Sequence, residues 1–188
     1  MPRKNENVNE AANEAANETV IKDIVENTEE KAIVKEELAY NPEKKVTVKT
    51  IASWTTGFRR IESNGDVTIP ANGSVRLNAS EIIAQIQNGN SLFTGTDEQG
   101  SHATLFVDDK ATRIEGNLET EDRPQLIITT QSVKDLFKKP KTTFKKALEN
   151  LVITRAEKYA IIDIVRNEKL FDDYEKVRTV EDYTGLRI

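Results

Sequence analysis

His102 is the only histidine in the chain, with Ser101 beside it and Glu98 four residues upstream. A Ser–His or Glu–His pair is the one arrangement here that would carry nucleophilic or acid–base chemistry. Such a pair also needs an orienting third group and a shaped oxyanion site, and sequence neighbours rarely face each other in the required geometry. His102 is therefore read as a structural or surface histidine. Asp97, Glu98, Asp108 and Asp109 gather around the same segment, DEQGSHATLFVDD. A calcium loop places its ligands at alternating positions and closes on a bidentate Glu. This segment does neither and reads as a solvated loop followed by a strand end. The glycines of TGTDEQGS lack the Gly-Lys-Ser/Thr ending of a phosphate loop. In GFRRIE, Arg59 and Arg60 point to opposite faces of a strand, so only one can serve any single ligand. The chain has no cysteine, which removes disulfides and thiolate metal sites. No cofactor, metal site or catalytic residue is expected, and the chain is read as a non-enzyme.

Lys134, Lys138, Lys139, Lys141, Lys145 and Lys146 form the strongest basic run, interleaved with Phe137 and Phe144. The pattern superficially suits binding to a nucleic-acid backbone, and a nucleic-acid-binding or regulatory factor is the alternative reading. The phenylalanines, however, fall where helical core faces lie. A solvated helix face or an acidic protein partner, including the acidic arm of this chain or of another copy, fits the run better. Trp54, in SWTTG, is either an interface anchor, where tryptophan is enriched, or a core residue.

The elements that must position these residues follow from periodicity. Residues 1–45 form an acidic arm, expected to be largely disordered, that opens with a tandem N-E-A-A unit over Asn9–Glu18. Within it Val20, Ile21, Ile24 and Val25 make one apolar stripe at helical spacing, which Ile33, Val34 and Leu38 extend. This amphipathic segment either awaits a partner or folds back on its own domain. Asn41-Pro42 breaks any helix there.

Residues 46–129 read as a β-rich domain. Strands are expected at Val46–Ser53, Gly57–Glu62, Val67–Ile69 and Ser74–Leu77, with Asn64-Gly65 as a turn. Asn78 with Glu81 forms a capping box for a helix through Ile82, Ile83 and Ile86, stopped at Asn88-Gly89. Leu92 and Phe93 re-enter the core on a return strand. Ala103–Val107, Thr112–Ile114 and Gln125–Thr129 complete the strand set. Residues 130–188 are helical, with a break at Pro140, capping boxes at Thr154/Glu157 and Asp172/Glu175, and a stop at Gly185. These helices have stripes wide enough to pack on each other or on the sheet. The expected fold is α+β: a small antiparallel β-sheet or barrel with one inserted helix, followed by a helical C-terminal region and preceded by a flexible arm.

Composition sets the outer bounds. Residues 1–45 hold 7 Lys/Arg against 11 Asp/Glu, and the other 143 hold 20 against 21, so most of the formal charge of −5 sits in the arm. That balance does not favour general binding to nucleic acid or anionic lipid. No apolar run approaches the roughly 18 residues of a membrane span, and MPRKNENVNE has no apolar core of a secretory signal. A long polar arm, a compact β-rich unit and a helical tail suit a protein that binds other proteins. Val20, Ile21, Ile24, Val25, Ile33, Val34, Leu38, Trp54 and Phe58 are the candidate contact residues.

Several strings in residues 57–188 are distinctive. They include R-R-I, I-P-A-N-G-S-V-R-L, E-I-I-A-Q-I-Q-N-G-N, L-F-T-G-T-D, G-S-H-A-T-L-F-V-D-D, T-R-A-E-K-Y-A-I-I and D-Y-E-K-V-R-T-V-E-D-Y-T-G. In these the chain resembles small, head-associated structural proteins of tailed bacteriophages; the arm lies outside the resemblance. The resemblance implies a structural role in or on the particle, as an auxiliary, decoration or head–tail joining protein. It further implies the major capsid protein or neck proteins as partners, or other copies of the chain. The location implied is the virion, with the host cytoplasm during assembly. It carries over no catalytic or ligand residues.

Overall fold

The computed structural model describes residues 39–120 and 122–188. The arm positions Val20, Ile21, Ile24, Val25, Ile33, Val34 and Leu38 lie outside the described residues. Tyr40–Ile188 forms one compact unit of α+β class with a helical C-terminal region. Among the described residues no helix is long and apolar enough to cross a membrane.

Strand β1 (Lys45–Thr50) alternates as its sequence dictates, burying Val46, Val48 and Thr50 while Lys45 and Lys49 face solvent. It is the centre of an open antiparallel sheet, with β4 (Ser74–Asn78) on one side and β5 (Leu105–Val107) on the other. The register pairs Val46 with Leu77 and Val48 with both Val75 and Val107. Strands β2 (Thr56–Arg59) and β3 (Asp66–Ile69) make a separate antiparallel hairpin, with Phe58 opposite Val67. Gly65 in its turn has φ 111°, a region open to glycine, and its carbonyl accepts from Arg60 N–H.

Helices α1 (Ala79–Gln87) and α2 (Ser91–Thr94) lie between β4 and β5, and α3 (Lys110–Glu115) follows β5. The first core joins Val46, Val48, Leu77, Leu105 and Val107 of the sheet to Ile69, Ile82, Phe93 and Leu118. Phe58 packs edge-on against Phe93, with ring centroids 5.3 Å apart. The C-terminal helices α4 (Thr130–Lys138), α5 (Lys141–Leu151), α6 (Arg155–Asn167) and α7 (Tyr174–Thr184) pack on one another. Their core is built on Leu136, Phe144, Leu148, Ile161, Val165 and Val180, with Ile128 and Val152 from the connections. Ile51, just beyond β1, also packs there.

The structure corrects several expected elements. Asn78 precedes α1 as expected but makes no side-chain cap, because it stays in register with Lys45 as the last residue of β4. Its intended partner Glu81 is buried and turned toward the hairpin. There its two oxygens accept from Ile61 N–H at 2.9 Å and Glu62 N–H at 3.0 Å. Those two amides are thereby withdrawn from any ladder, and β2 ends at Arg59 rather than Glu62. The expected return strand at Leu92–Phe93 is α2, because Asn90 Oδ1 accepts from Leu92 N–H and starts a helical turn. The expected strand at Thr112–Ile114 lies within α3, capped by Asp109, whose Oδ2 accepts from Thr112 N–H at 2.9 Å and Thr112 Oγ1 at 2.6 Å. Among the described residues Gln125–Thr129 joins no ladder. Pro124 cannot donate, Thr129 caps α4 through Ser132 N–H, and Ile128 is drawn into the helical core. The last helix is capped by Asp173, not Asp172. The capping box of Thr154 and Glu157, and the stops at Gly89 and Gly185, are where periodicity puts them.

Replacing Glu81 by Ala leaves two backbone N–H groups at the hairpin edge without their acceptor and takes one of two acceptors from the amide of Gln85. The expected loss is about 3 kcal/mol of folding stability, measured by urea unfolding. Glu81→Gln, which keeps one carbonyl oxygen, is expected to lose less.

Candidate functional site

The loop before His102 is shaped by its own backbone. Gly95 has φ 70°, and a Cβ there would stand 2.0 Å from the Ser101 carbonyl, so only glycine fits. Thr96 N–H donates to Ser101 O, and Gly100 N–H donates to Thr94 O. Asp97 Oδ1 accepts from the N–H groups of Gln99 at 2.8 Å and Ser101 at 3.0 Å. His102 leaves this loop with φ 59°, and its N–H donates to Leu126 O.

The ring of His102 does not meet Ser101 or Glu98. Its Nδ1 lies 2.7 Å from Oε1 of Glu157, fifty-five residues away, with side-chain exposures of 11% and 1%. The other oxygen, Oε2, accepts from Ile153 N–H at 2.8 Å, Thr154 N–H at 2.9 Å and Thr154 Oγ1 at 3.1 Å. Thr154 Oγ1 in turn caps Glu157 N–H. Glu157 thus closes the α6 capping box and fastens the loop of His102 to it. A carboxylate holding an imidazole at Nδ1 is the orienting half of a catalytic dyad. Among the described residues, however, no hydroxyl is hydrogen-bonded to His102. The capping box was legible in the sequence; the second partner of its glutamate was not, because nothing local to either residue encodes it.

The acidic cluster disperses. Asp97 shapes the loop, Asp108 pairs with Lys49 at 2.5 Å, and Asp109 pairs with Lys44 at 2.7 Å while capping α3. Among the described residues no group of three or more His, Cys, Asp or Glu side chains is placed to hold a metal ion. Burial acts to raise the Asp109 carboxyl, but the hydrogen bonds from Lys44 and Thr112 outweigh it and hold it below its ordinary value. Asp97 is lowered in the same way, burial opposing and the bonds from Ser101 and Gln99 prevailing.

The basic run is partly engaged. Lys134 reaches Glu168 and Lys141 reaches Glu175, both at 2.5 Å, and Lys138 reaches Asp135 at 2.8 Å. Phe137 and Phe144 pack edge to face at 5.4 Å, with Phe144 buried, so neither offers a stacking face to a base. Lys139, Lys145 and Lys146 are exposed. Arg59 is exposed and Arg60 half-buried.

Of the expected contact residues, Trp54 and Phe58 are described, and they belong to different neighbourhoods. Phe58 is half-buried against the first core. Trp54 is 36% exposed and lies edge-on to Tyr159 of α6 at 5.6 Å. The Arg155 guanidinium sits over the Trp54 ring at 5.2 Å and the Tyr159 ring at 5.7 Å. Arg155 and Tyr159 were missed as surface partners of Trp54, since the capping box drew both into a helix read only for its buried face. A groove of about 440 Å³ also opens at the C-terminal end of β1, lined by Ile51, Phe106, Ile127, Ile128 and the Asn72–Ser74 turn. The chain matches no protein-family profile, no curated protein and no solved structure.

Removing Glu157 as Glu157→Ala is expected to cost about 3–5 kcal/mol, since it strips a half-buried histidine and three further donors of their acceptor. His102→Ala, which leaves the capping box intact, is expected to cost less, about 1–3 kcal/mol. Both are measured by urea unfolding. The lowered carboxyls of Asp97 and Asp109 contribute stability that is complete above their unfolded value, near pH 4, and fades as pH falls through their lower folded values. Thermal melts from pH 7 to pH 2 are therefore expected to show falling Tm below about pH 4, with a shallower fall in Asp109→Asn.

Proposed function

We propose that this chain is a non-enzymatic virion structural protein of a tailed phage. It is capsid-associated, as an auxiliary, decoration or head–tail joining protein, and acts through protein–protein contacts. The observation that carries this reading is the surface formed by Trp54, Arg155 and Tyr159. Tryptophan, tyrosine and arginine are the residue types that dominate binding energy at protein interfaces. Here the three are held together at the surface by an edge-on aromatic pair and a cation lying over both rings, so little side-chain freedom is lost when a partner covers them.

The resemblance of residues 57–188 to head-associated phage proteins supplies the setting. The major capsid protein or neck proteins of the same particle are then the partners, and the protein passes through the host cytoplasm during assembly. The basic run supports a nucleic-acid role less well, because Lys134, Lys138 and Lys141 already face carboxylates and both phenylalanines are committed to packing.

Quantitative mass spectrometry of purified particles tests the reading. The protein is expected in the particle at a fixed copy number. A number matching the capsid lattice identifies decoration, and a small ring number identifies the neck. Its absence from every particle and assembly intermediate overturns the reading.

A further inference from the structure

The same surface carries a charge pattern that specifies the chemistry of what it binds. Arg155 is exposed, and among the described residues it forms no ion pair and donates no hydrogen bond. Contact with two aromatic rings restrains its guanidinium at the surface, and a guanidinium whose N–H groups are unclaimed can receive a carboxylate through two parallel bonds. One turn along α6, Lys158 lies over the Tyr183 ring at 5.1 Å, also outside any ion pair among the described residues. The acid between them, Glu157, is turned inward and fully used. The outward charges of this first turn are therefore all positive, and the N-terminal end of the helix adds to them. Two exposed apolar residues lie by the helix start, one two residues before Arg155 and one bonded to the backbone of His102. Ile153 is 51% exposed, and Leu126, whose carbonyl binds His102 N–H, is 60% exposed.

We infer that this surface binds an acidic, aliphatic segment of a polypeptide, with a carboxylate on the Arg155 guanidinium and aliphatic side chains against Trp54 and Ile153. The inference rests on reading the surface as a protein-contact site and names the partner's chemistry. Charge complementarity selects an anionic partner. A phosphate would satisfy Arg155 equally, but exposed Ile153 and Leu126 offer nothing to a sugar–phosphate chain and match aliphatic side chains.

Trp54 is the only tryptophan in the chain, so its emission reports on this surface alone. The full chain is titrated with a short synthetic peptide alternating Glu and Leu, with a Gln/Leu peptide of the same length, and with an oligothymidylate. The Glu/Leu peptide is expected to shift the emission saturably, to bind about tenfold tighter than the Gln/Leu peptide, and to weaken as salt is raised. Arg155→Glu is expected to abolish the response, and Arg155→Lys, which keeps the charge without the planar fork, to weaken it. Both variants should melt within a few degrees of the wild type, since Arg155 is exposed and loses only its contacts with two aromatic rings. No saturable shift at millimolar Glu/Leu peptide, equal binding of the Gln/Leu peptide, or equal binding of the oligothymidylate would overturn the inference. Peptide binding by a protein missing from particles would defeat only the virion reading. A particle protein blind to the peptide would defeat only this one.

Discussion

A single buried carboxylate joins the two halves of this molecule. Glu157 has no contact with solvent to speak of, yet both of its oxygens are filled: one by the imidazole of His102, the other by the start of α6. Placing a carboxylate in such surroundings is costly unless its hydrogen-bonding capacity is met. The fold meets it by drawing in a loop from the sheet side and the N-terminus of a helix from the other core. The loop can reach only because Gly95 lets its backbone double back to Ser101. The helix can present its first turn only because Thr154 caps it. Position 102 then accepts a left-handed backbone, unusual for a residue with a side chain.

The surface outside that joint inherits its order. With Glu157 facing inward, Arg155 and Lys158 are the charged groups left on the outer face of the first turn, and the aromatic rings of Trp54, Tyr159 and Tyr183 hold them in place. The positive face is therefore a by-product of how the acid was buried. Lys134 and Lys141, by contrast, lie opposite carboxylates of the α6–α7 turn or of α7 and serve to lace helices together.

Much of the fold was legible in the sequence. The alternation in β1, the apolar stripe of α1 with its stop at Gly89, the Thr154/Glu157 box and the break at Pro140 all carry their own local chemistry, and the structure follows them. What was not legible depends on partners far along the chain. Glu81 carries every mark of a capping residue, but its oxygens go to Ile61 and Glu62, twenty and nineteen residues back. Gln125–Thr129 has the composition of a strand, but a strand exists only beside another, and no local signal says that none arrives. For His102 the sequence offers only Ser101 and Glu98 as near neighbours, while the ring's hydrogen-bond partner lies fifty-five residues away. For the surface, Trp54 was legible as one of two things, interface or core. The cation that lies over its ring was hidden inside a helix whose buried face was the stronger pattern.

The grip of Glu81 on the hairpin reaches into mechanics. The β2–β3 ribbon has only four residues on each side and, among the described residues, no third strand to brace it, and so short a ribbon has little rigidity of its own. Its tip is tied to the first turn of α1 by two bonds to one carboxylate, and Gln85 of the next turn adds a bond to the Arg59 carbonyl. Ribbon and helix are thus coupled as a lever and its arm: whatever tugs on the tip near Asn64 turns α1 with it, and through Ile82 the strain is delivered straight to the centre of the first core.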